Sequence, residues 1–389
     1  MPHARPSRSS EVRFRTRVRR FLNDALTEDL RAAGRATIGT HSEIGACRIW
    51  HQRLHRQGWI APAWPQAHGG TGWNATERLI FDQECAANDA PVLFAGGLRN
   101  VGPLLIALGS EAQKSRYLPP ILSGDEFWCQ GYSEAGAGSD LAALRTRAHR
   151  DGDEYLVNGT KIWTTGANHA EKMFALVRTD ASGKPQHGIT FLLIDMRSQG
   201  ITTRPVQTIH GEAEFNEVHF EDVRVPVEDR VGAEDDGWSV AKQLMLYARA
   251  SNTTCALLRR TLRRVQEMLV TAMPEARHSV RNRLTDVELR LAVIERLEYD
   301  AASGQQDAGD RSQNASMMKL RATELHQQMT ELLLELAGPD ACRQWRSRDE
   351  LASPGGAYAS AKYFATRAAS IYSGTSEVHR NILARVLID

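Results

Sequence analysis

Trp128-Cys129-Gln130-Gly131-Tyr132-Ser133-Glu134-Ala135-Gly136-Ala137-Gly138-Ser139-Asp140 is the segment on which the fold assignment turns. Its glycines let the main chain run close to a flat or anionic ligand, and its serines offer short donors beside it. A dinucleotide-binding loop needs a third glycine and a helix whose N-terminus meets the pyrophosphate. Gly136-Ala137-Gly138-Ser139-Asp140-Leu141 lacks that glycine, and a strand-and-hairpin pattern follows it, so a Rossmann site is disfavoured. Taken alone, the segment is a glycine-rich surface turn. Its neighbours change that reading.

Upstream the period is helical. Ile44 to Gln57 carries Ile49, Trp50 and Leu54 at helical spacing, before a breaker-rich loop from Gly58 to Gly70. A helix starts near Ala75 and ends before Pro91. Another starts at Ser110, with Gln113 at the capping-box position, and Pro119 is expected to stop it. Downstream, Glu154 to Val157, an Asn158-Gly159 turn and Lys161 to Thr165 predict a hairpin. Phe174–Val177, Ile189–Ile194, Ile201–Arg204 and Val218–Val225 add short runs rich in β-branched residues. From Gly237 the helical period returns: Trp238 to Met273, Val280 to Ala301, Ser312 to Leu336, Tyr358 to Ala369 and Thr375 to Leu387. The expected fold is α+β and multidomain. An N-terminal α-helical domain (1–127) precedes a middle antiparallel β domain (128–236) and a C-terminal four-helix-bundle domain (237–389).

A chain of 389 residues is long enough for two or three cores, and its 42% hydrophobic and 24% charged content is that of a globular protein. A net charge of +1 offers no electrostatic case for nucleic acid or an anionic membrane. The arginines between Arg5 and Arg20 alternate with Val12, Phe14, Val18, Phe21 and Leu22, the pattern of an amphipathic helix and not of a polyanion arm or transit peptide. Five scattered cysteines without metal-ligand spacing, no signal peptide and no membrane span lead to an expectation of a reduced, cytoplasmic protein without a metal.

Five segments then fall together: Gly109-Ser110-Glu111-Ala112-Gln113-Lys114 with Tyr117-Leu118-Pro119; Ser133 to Asp140; Asn158-Gly159-Thr160-Lys161-Ile162-Trp163-Thr164-Thr165; Phe215-Asn216-Glu217-Val218 through Pro226; and Ile371-Tyr372-Ser373-Gly374-Thr375-Ser376-Glu377-Val378. In this order and spacing the chain resembles the acyl-CoA dehydrogenase family over nearly its whole length. The resemblance implies FAD, an acyl-CoA thioester substrate, an electron-transfer flavoprotein or similar acceptor, and a homotetramer, heterotetramer or dimer. It places Gln130, Tyr132 and Ser133 along the flavin ring, Ser139 near the flavin or the CoA arm, and Trp163 and Thr165 on the other side. Thr375 and Glu377 match positions that approach FAD in relatives.

Desaturating a thioester removes a proton from Cα and a hydride from Cβ, and the proton needs a carboxylate base in a dry pocket. The family carries that carboxylate either at the position of Ser373 or on the first bundle helix, at the position of Ala248 before the supporting Arg249. Neither residue is acidic. Three readings stay open: the helix-base branch with the glutamate lost, a non-catalytic or half-site subunit of a heteromer, and other flavin chemistry, such as an oxidase or monooxygenase, with a base at Glu377, Asp236 or His379. A second departure lies at Ala276–Arg283, which lacks the Phe-Gly of the family's FAD-sharing segment but keeps arginines able to meet a pyrophosphate. Leu98, Val101, Leu244 and Tyr247 are candidates to line the acyl pocket or simply to fill the core.

Overall fold

The computed structural model describes residues 8–248, 255–302 and 308–388. Arg249, and the side chains of Tyr247 and Ala248, lie outside the described residues. The first third is helical: α1 (Arg8–Ala25), α2 (Glu28–Arg35), α3 (Ile44–Arg56), α4 (Ala75–Ala87), a π-turn over Gly96–Val101 that runs into α5 (Gly102–Leu108), and α6 (Glu111–Ser123). α1 is the amphipathic helix its pattern predicts. Phe14, Val18 and Leu22 are buried, while Arg15 and Arg19 both pair with Glu84 on α4. Capping boxes, Asn74 with Glu77 and Ser110 with Gln113, start α4 and α6. Pro119 does not end α6. The helix continues through Pro119 and Pro120 to Ser123 and stops at left-handed Gly124, φ 81°. The fixed φ of proline is itself helical, so near a C-terminus the pair removes amide donors without turning the chain.

The middle third is a sheet of β1 (Trp128–Gly131), β2 (Arg147–Asp151), β3 (Glu154–Thr165), β4 (Lys172–Arg178), β5 (Ile189–Asp195), β6 (Ile201–Val206), β7 (Phe215–Pro226) and β8 (Arg230–Val231). The strand order is β6-β7-β3-β2-β4-β5-β8, with β1 also on β4. Two pairings, β1 with β4 and β2 with β4, are parallel, so the sheet is not purely antiparallel as expected. The hairpin also lies elsewhere. Asn158-Gly159 is a bulge inside the single long strand β3, and the turn that joins β2 to β3 is Gly152-Asp153. Asn158 spends its amide on β7, with Oδ1 accepting from Asp222 N at 3.0 Å and Nδ2 donating to Asp222 Oδ1 at 2.9 Å. Gly159 sits at φ 145°, where a Cβ would stand 2.7 Å from Thr146 Cα. Only glycine fits there.

β4 and β5 are buried on both faces. Phe174, Leu176, Phe191 and Leu193 join the core of the N-terminal helices, while Met173, Ala175, Leu192 and Ile194 join Tyr155, Val157 and Val223 on the opposite face. The last third is α7 (Gly237–Ala248), α8 (Cys255–Thr271), α9 (Pro274–Ala302), α10 (Ala308–Ala337), α11 (Arg348–Ala352), α12 (Gly356–Arg367) and α13 (Ser376–Ile388). α8, α9, α10 and α12 close on a core that includes Leu258, Val265, Leu291, Met329 and Leu333. The expected helix from Trp238 to Met273 is described as α7 and α8, on either side of residues 249–254. Buried cations tie the bundle to the chain leaving α2 and α4: Arg260 donates to Ala90 O at 2.7 Å, Arg264 to Arg35 O at 3.2 Å, and Lys362 to Ile38 O at 2.9 Å. Among the described residues no helix is long and apolar enough to cross a membrane.

Candidate functional site

The segment quoted first leaves β1 and is pinned to β3 by one buried lysine. Alternation along β3 turns Tyr155, Val157 and Lys161 inward, and Lys161 is 0% exposed. Its ammonium donates to Tyr132 O at 3.1 Å and to Glu134 Oε1 at 2.8 Å. Glu134 also accepts from the amides of Arg145 at 2.7 Å and Thr146 at 2.9 Å. Burial works to raise the Glu134 carboxyl, but Lys161 and the Thr146 amide prevail and hold it below the usual range. Burial brings Lys161 down to about 8, against the pull of Glu134. Glu134 and Ala137 exchange both main-chain bonds at 3.0 Å, which makes Ala135-Gly136 a tight exposed turn. Ile162 N donates to Ser133 O at 2.9 Å, so the serine is fixed beside the residue that precedes Trp163.

Trp163 carries the least ordinary geometry of this edge. A second bulge, between Lys161 and Thr164, places it at φ 60°, and its indole is 56% exposed with its edge toward Phe215, centroids 6.2 Å apart. A bulky side chain in the left-handed region is strained, and a large exposed aromatic forgoes burial. Thr165 follows, half-buried and paired with Phe215. Gln130 and Ser139 are exposed, and Ser133 is half-buried. A flat indole with nearby hydroxyl and amide donors suits one face and the edge of a flat heteroaromatic ring. Tyr132 needs a correction. Its ring stands edge-on to Phe174 and Phe191 in the core, 4% exposed, so its side chain does not lie along this edge. Its main-chain carbonyl alone takes part, through Lys161. A cavity of about 250 Å³ borders the turn, lined by Glu134, Ala135, Thr146, Thr160 and Glu217. A larger depression of 740 Å³ lies apart from it, among His55, His68, Lys114 and Asp125.

Glu214 stands at this edge, and its charge acts on the C-terminal motif. Glu214 O accepts from Gly166 N at 2.8 Å, directly after Thr165, and burial together with the Glu214 carboxylate pushes the Tyr372 phenol up to about 12. Glu214 also accepts from Thr40 N at 2.7 Å, so the N-terminal unit and the sheet meet here. Ser373 is exposed at φ 56°. Thr375 caps α13, its hydroxyl accepting from Val378 N at 3.2 Å. Glu377 is exposed, held below the usual range by its own amide and by the Thr375 hydroxyl.

The other candidate bases are engaged structurally. Asp236 accepts from Ser239 Oγ at 2.7 Å at the start of α7, and His379 is buried against Ser373 O. Ala248 ends α7. Ala276–Arg283 lies within α9. There Arg277 donates to Ala272 O at 2.8 Å and Arg283 pairs with Glu335. Leu98, Val101 and Leu244 are buried in the N-terminal core. Lys161, Glu214 and Lys319 went unnoticed as site-building residues. Only Lys161 left a trace, a cation on the inward parity of an otherwise apolar strand. Among the described residues no cluster could hold a metal.

Known proteins bear on this arrangement along its whole length. Residues 9–125 match the N-terminal domain of acyl-CoA dehydrogenase, 129–223 its middle domain and 235–388 its C-terminal domain. The chain is 35% identical to acyl-CoA dehydrogenase IpdE1 and 34% identical to acyl-CoA dehydrogenase FadE26, both of Mycobacterium tuberculosis, each over 96% of both chains. The ChsE4-ChsE5 complex from Mycobacterium tuberculosis contains a chain of similar structure, TM-score 0.83 at 31% identity, covering 99% of this chain and 98% of that one. The Tcur3481-Tcur3483 steroid ACAD has a TM-score of 0.83 at 27% identity, covering 98% of each chain. Three domain matches in the order of three structural units, with relatives above 30% identity over nearly the full length, mean that the chain belongs to the acyl-CoA dehydrogenase family.

Proposed function

We propose that the chain is an FAD-dependent acyl-CoA dehydrogenase subunit that serves α,β-desaturation of an acyl-CoA thioester and passes electrons to a flavoprotein acceptor. The observation that carries this reading is Trp163, an exposed indole on a strained backbone, set beside Ser133 by the Ile162–Ser133 bond. In this reading Trp163 covers one face of the isoalloxazine, and Ser133, Thr165 and Gln130 supply donors at its edge. Ser139 lies toward the flavin or the CoA arm, and Thr375 and Glu377 approach from the bundle. FAD when bound supplies the hydride acceptor. The Lys161–Glu134 pair keeps the donor edge in register, and the apolar N-terminal core keeps water from the thioester side.

The proton at Cα is a separate matter. Ala248 has no proton acceptor, and Ser373 offers a hydroxyl where the reaction calls for a carboxylate base. A second reading therefore has its own support: this chain is the half-site partner in a heteromer whose other subunit brings the carboxylate. The paired names ChsE4-ChsE5 and Tcur3481-Tcur3483 favour that form of assembly. The similarity to the Tcur3481-Tcur3483 steroid ACAD supports a bulky polycyclic acyl group as the substrate class. A cytoplasmic location belongs to the same proposal.

Purified protein should be yellow and show flavin absorbance. Ala248→Glu, beside an intact Arg249, should raise bleaching of the bound flavin by acyl-CoAs about 10²-fold or more, the usual worth of a placed general base. The panel should include a steroid-side-chain thioester beside linear ones. Ser373→Glu is the control, and a gain there alone would move the base to the C-terminal turn. No gain in either variant with FAD bound would sink the idea of a lost base and leave the heteromer, tested by co-purification with a homologous chain.

A further inference from the structure

The turn that carries Ser373 and Thr375 adopts a conformation its sequence does not favour. Ser373 at φ 56° and Gly374 at φ 89° are two successive left-handed residues, a region a serine side chain disfavours. Such a turn persists only where its surroundings over-determine it. We propose that Lys319 is a positioning residue that holds this turn for the flavin, with His379 as its second anchor. The inference rests on the FAD reading above.

Lys319 projects from α10 and is 4% exposed. Its ammonium donates to Ala369 O at 2.8 Å and to Gly374 O at 2.9 Å, so one cation clasps both ends of the link between α12 and α13. His379, on α13 and 1% exposed, meets Ser373 O at 3.1 Å through Nε2. A carbonyl only accepts, so Nε2 is the protonated nitrogen. Two adjacent carbonyls are thus held from the bundle side, and Ser373 is left exposed on the other. The close fit explains the glycine as well: a Cβ on Gly374 would stand 2.9 Å from His379 Nε2. Lys319 faces Glu377 at the exposed start of α13, yet its bonds go to carbonyls, and burial lowers it to about 8. Tyr372 directly precedes the clasped turn, its N–H donating to Ala368 O at 3.0 Å.

The test uses the full chain and reads three quantities: FAD affinity by flavin fluorescence, amide hydrogen exchange over residues 369–379 in the FAD-free protein, and the melting temperature. Lys319→Met should weaken FAD binding about ten-fold, roughly 1.4 kcal/mol, and speed exchange at 372–379 by a similar factor, with exchange in β3 and β4 unchanged. Lys319→Arg retains the charge and the donors and should recover most of both losses. Gly374→Ala attacks the same turn without touching α10 and should give the same local pattern, which covers the case that Lys319→Met does not fold. Unchanged exchange at 372–379 in Lys319→Met, or FAD affinity at the unsubstituted level in Gly374→Ala, would overturn the assignment. A chain that binds no FAD but shows the local rise in exchange would refute the flavin reading and uphold the clasp.

Discussion

Lys161 and Lys319 each bury an ammonium group against main-chain carbonyls of a candidate flavin-facing segment, and burial lowers each to about 8. They differ in one partner. Lys161 also holds the Glu134 carboxylate at 2.8 Å, and that carboxylate in turn binds two amides before β2. Lys319 meets neutral carbonyls, with Glu377 acting from an exposed position. The contrast separates two ways of holding a site. On the sheet the lysine completes a charge pair, so removing it strands a carboxylate and endangers the domain. In the bundle the lysine orients a turn, so removing it should loosen that turn and little else.

The sharpest attempt to break this contrast is Lys161→Met. It leaves Glu134 partly buried without its cation and should destabilise the protein by about 3–5 kcal/mol, read as a shifted urea midpoint. A loss below about 1 kcal/mol would mean that the two lysines play the same part. Gly159→Ala comes next. Its methyl meets the main chain of Thr146 at a φ that L-residues avoid, so a loss of about 1–3 kcal/mol is expected, again in the sheet and not at the C-terminal turn. Trp163→Ala should change stability by no more than about 0.5 kcal/mol, because the indole is exposed, yet lower FAD affinity about ten-fold. Equal losses in stability and FAD affinity would make Trp163 a packing residue.

The smallest effect is a pH dependence. Folding lowers Lys319 to about 8, so above that pH the folded chain has released a proton that the unfolded chain retains up to the ordinary lysine value. Stability relative to Lys319→Met should therefore rise by about 1 kcal/mol between pH 7 and pH 9. A flat difference in urea midpoints over that range would show that Lys319 does not titrate in the folded protein.

Much of the architecture was legible in local patterns, because period and caps are short-range properties. The change from helical period to alternation near Trp128, the return at Gly237, and the Ser110–Gln113 box all appear where the pattern puts them. Local rules failed where two segments had to fit each other. Asn158-Gly159 has the composition of a turn, but pairing of β3 with β7 runs straight through it, and the amide of Asn158 is used on Asp222. Tyr132 belongs to the segment read as flavin-facing, yet just past β1 its ring turns into the core against Phe174 and Phe191.

The site divides in the same way. The sequence by itself determined the family and the order of the three units, since these follow from residue identity and spacing along one chain. Only the tertiary structure decided that Lys161 is buried with Glu134, that Trp163 stands exposed at φ 60°, that Glu214 joins Gly166 to Thr40, and that Lys319 reaches Gly374. Each of these joins residues far apart in the chain. Their energies come from burial and from partners that exist only once the sheet and the bundle have closed.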